Sequence, residues 1–220
     1  MRQLPPQADA ARLVRLAEGV HDGCVWAEPA YQPRGYAEAL PEIWLRSEVF
    51  ERLRRAAAAL RGESLALVVW DGWRPLALQR QLWDEYRRSL AASSGLEGEA
   101  LDARAREFVA PVTDDETPAH STGGAVDLSL CTSHGTALDM GGDFDELTDR
   151  SHPDFYERPD LAPDEVKYRD RRRLLQHVMS DQGFERLASE WWHFEYGTPN
   201  WARRTGRQTL FGAIEGLPGD

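Results

Sequence analysis

His120-Ser-Thr-Gly-Gly-Ala-Val-Asp-Leu-Ser-Leu130 is the stretch on which the reading of this sequence turns. From Gly124 to Leu130 apolar residues alternate at the strand period. Val126, Leu128 and Leu130 share one face; Ala125, Asp127 and Ser129 share the other. The first face is bulky and belongs to a core. The second is small and polar, with room beside Asp127 for an ion or ligand. Gly123 and Gly124 permit a close backbone approach next to His120, although glycines also mark ordinary turns. Asp127 taken alone reads more readily as a residue that hydrogen-bonds a turn or pairs with an arginine.

A second segment, Glu190-Trp-Trp-His193, gives these residues a chemical context. Two imidazoles and one carboxylate (His120, His193, Asp127) can hold Zn²⁺ and leave its fourth position open, while Glu190 is a spare carboxylate that can move protons. Such a set suits a catalytic rather than a closed structural zinc site. Structural sites favour thiolates, and only Cys24 and Cys131 are present. A lone histidine among tryptophans also reads as a satisfied core residue. Glu190 precedes His193 by three positions, so on one straight strand the two would face opposite ways. Serving the same metal requires a bend between them.

Composition narrows the classes. The chain has 220 residues, 41% of them apolar and eight of them Trp, enough for a substantial core in one domain spanning 1–220. The 26 basic and 37 acidic residues give a net charge of −11, which argues against nucleic acid or an anionic membrane as partner. No apolar run reaches the length of a membrane span, and the N-terminus lacks a secretory pattern. The expectation is a reduced, cytoplasmic protein, or a periplasmic one if a signal has been removed. Oligomeric state is open.

Helical spacing of Val49, Leu53, Ala56, Ala57 and Leu60 predicts a helix from a Ser47 cap to about Arg61, stopped by Gly62. Ser64 to Trp70 reads as a buried strand ending in the turn Asp71-Gly-Trp-Arg74. Pro75 then opens a helix reaching about Ala92. Further helices are expected over Glu97–Phe108 and Asp164–Asp181, and a short strand over Trp192–Tyr196. Asp139 to Pro163 is a long Gly/Asp/Pro-rich connection of the kind that often carries function.

The pattern H-x-x-G-x-A-x-D followed by E-x-W-H resembles the zinc D-alanyl-D-alanine dipeptidases of the VanX type and their wider D-Ala-specific peptidase family. Trp70-Asp-Gly-Trp-Arg-Pro75 is similar to the family's arginine-bearing turn. Met140-Gly-Gly-Asp-Phe-Asp145, followed by Asp149-Arg-Ser-His152, is similar to its loop over the dipeptide's amino end. The resemblance covers a motif-bearing core, residues 65–196, and leaves residues 1–46 poorly matched.

It implies an α+β domain with a central antiparallel sheet, flanking helices and one Zn²⁺ on the sheet, as in the D-Ala-D-Ala peptidase/hedgehog-like fold. His120, Asp127 and His193 would be the ligands, Glu190 the general base and acid, and Arg74 the oxyanion stabiliser. Asp145 would receive the substrate ammonium, with Asp143 as competitor, and either Tyr31 or Tyr36 would supply an aromatic hydroxyl there. Arg74 taken alone also reads as a surface ion pair, and both tyrosines as packing residues. The implied activity is hydrolysis of a short free D-amino-acid dipeptide, D-Ala-D-Ala first of all. The alternatives are a zinc D,D- or L,D-carboxypeptidase acting on peptidoglycan stem peptides, and a non-catalytic binding module. Pro118 stands where the family has a serine, which removes a hydroxyl and a backbone N–H and puts substrate specificity in doubt. His21, His134, His152 and His177 are not expected to be ligands.

Overall fold

The computed structural model describes residues 12–16 and 24–217; His21 lies outside them. Within them seven strands run in chain order: β1 Leu13–Leu16, β2 Val25–Ala27, β3 Ile43–Arg46, β4 Leu65–Asp71, β5 Ala125–Thr132, β6 Glu185–Arg186 and β7 His193–Glu195. Among the described residues five α-helices accompany them: α1 Ser47–Ala59, α2 Leu76–Ser94, α3 Gly98–Ala105, α4 Val166–Ser180 and α5 Pro199–Thr205. β2, β4, β5, β7 and β6 form one sheet in that order, antiparallel throughout except for the parallel edge pair β2–β4. β1 and β3 make a separate antiparallel ribbon. The architecture is α+β.

Alternation along β5 has the anticipated consequence. Val126, Leu128 and Leu130 join the main core, where Val49, Leu53, Ala56 and Ala57 of α1 and Leu175, Val178 and Met179 of α4 pack. Removing these apolar side chains from water supplies the main drive for folding. The other face of β5 carries Asp127. Its register with β4 holds a detail that a hydrophobicity pattern cannot reveal. Val69 pairs with Leu128 and Asp71 with Asp127, so two residues of β4 are spent against one of β5. This bulge brings Asp71 onto the face of Asp127, one of the re-aiming roles that bulges serve.

Several expected boundaries move. Ser47 is the first helical residue of α1 rather than its cap, and no side chain caps that end. Pro75 sits just outside α2, with extended backbone, and Gly95 closes the helix in the left-handed conformation. The helix expected over Glu97–Phe108 is cut to α3, and the one expected from Asp164 begins at Val166. The small strands β1, β2, β3 and β6 and the helix α5 carry too little periodicity to be read from sequence.

The connection from Asp139 to Pro163 contains only a short 3₁₀ turn, Asp149–Ser151, yet it is firmly held. The buried Arg172 of α4 donates to the carbonyls of Met140 and His152, 2.9 Å each, and so ties two points of the loop to one helix. Trp191 N–H donates to Ser151 O at 2.8 Å, which joins the loop to the segment bearing Glu190.

Candidate active site

His120 enters from a 3₁₀ turn, Ala119–Thr122, immediately before β5. Gly124 follows because nothing larger fits: a Cβ there would lie 2.6 Å from Tyr196 O. Asp127 projects from β5 and His193 opens β7, and the two are register partners on neighbouring strands. The three side chains are buried and meet at a point. His193 Nδ1 is 2.9 Å from Asp127 Oδ1, His120 Nε2 is 3.3 Å from the same oxygen, and the two ring nitrogens are 3.1 Å apart.

The outer nitrogens fix which atoms face inward. His120 Nδ1 is 2.7 Å from the carbonyl of Gly72, and His193 Nε2 is 3.3 Å from Glu195 Oε1. Each outer nitrogen therefore donates its N–H, and each inner nitrogen presents a lone pair. Two lone pairs and a carboxylate oxygen converge without a donor among them unless a cation joins them. Tetrahedral coordination at about 2.0–2.1 Å separates neighbouring ligand atoms by about 3.3 Å, close to the separations here. The residues fit a metal ion.

Electrostatics argue the same way. Burial disfavours a charged imidazole, yet hydrogen bonds to Asp127 and Glu195 outweigh it and push His193 up to about 10. Burial also opposes ionisation of Asp127, but the two imidazoles hold its carboxyl well below the usual range. The cluster demands positive charge at its centre. Glu195 is itself fully buried, and although burial works against it, His193 and Thr198 hold it down at about 2. It accepts from Thr198 Oγ1 and from Asn200 Nδ2, so the β7–α5 junction anchors the residue that orients His193.

Glu190 precedes β7 and is flanked by bends at Ser189 and Trp191, so the chain turns between it and His193 as service to one shared site requires. Its Oε2 is 3.9 Å from His193 Nδ1. Burial pushes its carboxyl up to about 8; His193 opposes this, and Asp127 and Asp145 add to it.

Arg74 follows the bulged end of β4 and is buried. Its Nε donates to Asp71 Oδ2 and one terminal nitrogen to Gln79 Oε1, both at 2.8 Å. The other terminal nitrogen reaches Tyr31 Oη at 3.2 Å and Asp127 Oδ2 at 3.5 Å. Gln79, one turn into α2, is held in turn by Ala110 O at 2.7 Å. The guanidinium is thus fixed on several sides beside the carboxylate of the cluster. This is the opposite of a mobile surface ion pair.

Asp145 sits in the left-handed conformation at φ +63°, unusual for a non-glycine residue. Tyr31 donates from its hydroxyl to Asp145 Oδ1 at 3.3 Å, and Arg34 donates to Oδ2 at 2.8 Å. Burial raises the Asp145 carboxyl, with Arg74 pulling against it. The two tyrosines now differ. Tyr31 links Arg74 to Asp145, whereas Tyr36 lines the cavity wall with Glu85, whose charge adds to burial in raising the Tyr36 hydroxyl. All eight anticipated site residues line one cavity of about 540 Å³, which also contains Pro118.

Sequence reasoning missed Asp71, Gln79, Glu195 and Arg34. The first two lie close to Arg74 in sequence, and Glu195 shares a strand face with His193 two positions earlier. That spacing was a usable signal; Arg34 offered none. The other described histidines stay out of the cluster. His134 is in a turn, His152 contacts Ala188 O and His177 is an exposed helical residue near Asp181.

A family model described as D-ala-D-ala dipeptidase matches residues 36–207. A D-alanyl-D-alanine dipeptidase of Synechocystis sp. is 35% identical over 175 residues, covering 72% of this chain and 71% of that protein. One of Escherichia coli is 32% identical over 151 residues, covering 69% of this chain and 65% of that protein. A solved structure described as VanYB in complex with D-Alanine-D-Alanine is 20% identical with a TM-score of 0.48, covering 76% of this chain and 81% of that one.

Proposed function

This chain belongs to the D-Ala-D-Ala dipeptidase family of metallopeptidases, and on that footing we propose that it hydrolyses a short free dipeptide of D-residues, D-Ala-D-Ala first, using one zinc ion. The observation that carries the reading is the convergence of two oriented imidazole nitrogens and Asp127 Oδ1, with Glu190 and a fixed Arg74 in the same cavity.

In this reading His120, Asp127 and His193 hold the metal. Zinc at such a site supplies Lewis-acid activation of the peptide carbonyl and of water near neutral pH. Glu190 takes a proton from the attacking water and returns one to the leaving amine, a task suited to a carboxyl whose proton affinity burial raises. Arg74 donates to the oxyanion that develops on the former carbonyl oxygen. Because Asp71, Gln79 and Tyr31 already fix it, little reorganisation is needed as charge appears. Tyr31 and Asp145 offer a hydroxyl and a carboxylate to the substrate ammonium, and the Asp139–Pro163 loop bounds that end. Mere holding of a ligand would need neither Glu190 nor Arg74, which disfavours a binding module.

Comparing free with N-acetylated D-Ala-D-Ala tests the reading against a carboxypeptidase. A dipeptidase of this design cleaves the free peptide and handles the acetylated one at least about tenfold worse, since a charged pair is lost at the amino end. Equal rates, or a preference for the acetylated peptide, would reverse the assignment.

A further inference from the structure

The carboxylate suited to the substrate's ammonium already has a cation beside it. Arg34 Nη1 is 2.8 Å from Asp145 Oδ2, with the two side chains 44% and 28% exposed. The guanidinium also stands over the rings of Phe144 and Tyr31, with its carbon 5.2 Å and 5.7 Å from the centroids. It is therefore positioned by packing as well as by charge, and it lines the cavity. A guanidinium carries five N–H donors. Arg74 spreads its donors over Asp71, Gln79, Tyr31 and Asp127, whereas the partner found for Arg34 among the described residues is Asp145.

A substrate ammonium docking on Asp145 would thus come close to a fixed positive charge. With a neutral side chain on the first residue only the ammonium faces this charge, beside Asp145 and Tyr31; a basic side chain adds a second repulsion. The juxtaposition becomes favourable when the first residue brings its own carboxylate, which can meet the remaining Arg34 donors while the ammonium meets Asp145. The cavity of about 540 Å³ is large enough for a side chain longer than a methyl group. The chain's overall charge of −11 repels an acidic substrate, so any such preference has to arise from a local cation.

We propose that Arg34 is a specificity-determining residue that favours an acidic over a basic side chain on the first D-residue of the dipeptide. This rests on the dipeptidase reading but makes a separate claim about the amino-end subsite.

The test compares kcat/KM for D-Asp-D-Ala, D-Ala-D-Ala and D-Lys-D-Ala in the zinc-loaded wild type and in Arg34→Met. Calorimetric binding of the same peptides to zinc-loaded Glu190→Gln, with and without Arg34→Met, supplies a readout that needs no turnover. The expected result is a D-Asp over D-Lys preference of about tenfold or more in the wild type, in rate and in binding, which falls towards unity in Arg34→Met. A ratio near unity or below in the wild type, or one unchanged by Arg34→Met, overturns the inference. Failure of the wild type to cleave any of the three would count against the dipeptidase reading, and the binding ratio would still decide the role of Arg34.

Discussion

Replacing Glu195 should weaken metal binding although it touches no metal. The side chain is wholly buried and accepts from His193 Nε2 at 3.3 Å, from Thr198 Oγ1 and from Asn200 Nδ2. It does two separable things: it fixes the tautomer that turns the Nδ1 lone pair inward, and its negative charge makes that nitrogen more basic. Glu195→Gln keeps an acceptor and the shape but removes the charge. Glu195→Ala removes both and strands the donors of Thr198 and Asn200. Loss of such an outer partner typically costs 10- to 100-fold in metal affinity, roughly 1.4–2.7 kcal/mol. We therefore expect about tenfold weaker zinc binding for Glu195→Gln and about 100-fold for Glu195→Ala, the latter with reduced stability as well. Competition with a chromophoric chelator measures the affinities, and thermal unfolding of the metal-free proteins reports the structural cost. Wild-type affinity in both variants would refute the orienting role. Equal losses in the two would show that charge alone, not the hydrogen bond, matters.

Glu190→Ala should keep its zinc, by metal analysis, while losing turnover by several orders of magnitude; loss of metal with activity would make Glu190 a ligand. Arg74→Lys should also retain zinc but lose roughly 10²–10³ in kcat, because an ammonium cannot keep the fork of contacts to Asp71, Gln79 and Tyr31. Zinc affinity should depend on pH with a defined sign. His193 is held up at about 10 in the metal-free protein, so below that pH the metal must displace a proton. Affinity should rise about tenfold per pH unit between pH 7 and 9 and flatten above about 10; isothermal titration in buffers of different ionisation enthalpy reads the released proton, and a flat profile would contradict the assignment.

The alternation of Val126, Leu128 and Leu130 against Asp127 already states which face of β5 joins the main apolar core, although the opposite face is covered too and every residue from Ala125 to Cys131 is buried. The bend between Glu190 and His193 was legible because residues three positions apart on a straight strand face opposite ways. What sequence does not contain is register. The bulge that aligns Asp71 with Asp127 depends on how β4 and β5 pair, and nothing local in Val69-Trp-Asp71 announces it. Gln79 and Glu195 are ordinary polar residues until the fold brings Arg74 and His193 to them. Arg34 lies 111 positions from its partner, in a loop without periodicity, and only the closed tertiary structure brings the two together. The edge strands β1, β2 and β6 draw their stability from pairing rather than from a hydrophobic stripe of their own.

The most direct measurement is a zinc titration of metal-stripped protein, following D-Ala released from D-Ala-D-Ala. The expected result is no turnover without metal, a linear rise with added zinc, a break at one zinc per chain and two D-Ala formed per peptide consumed. Turnover that persists in the stripped protein, or that breaks only at two zinc ions per chain, would contradict a single metal held by His120, Asp127 and His193.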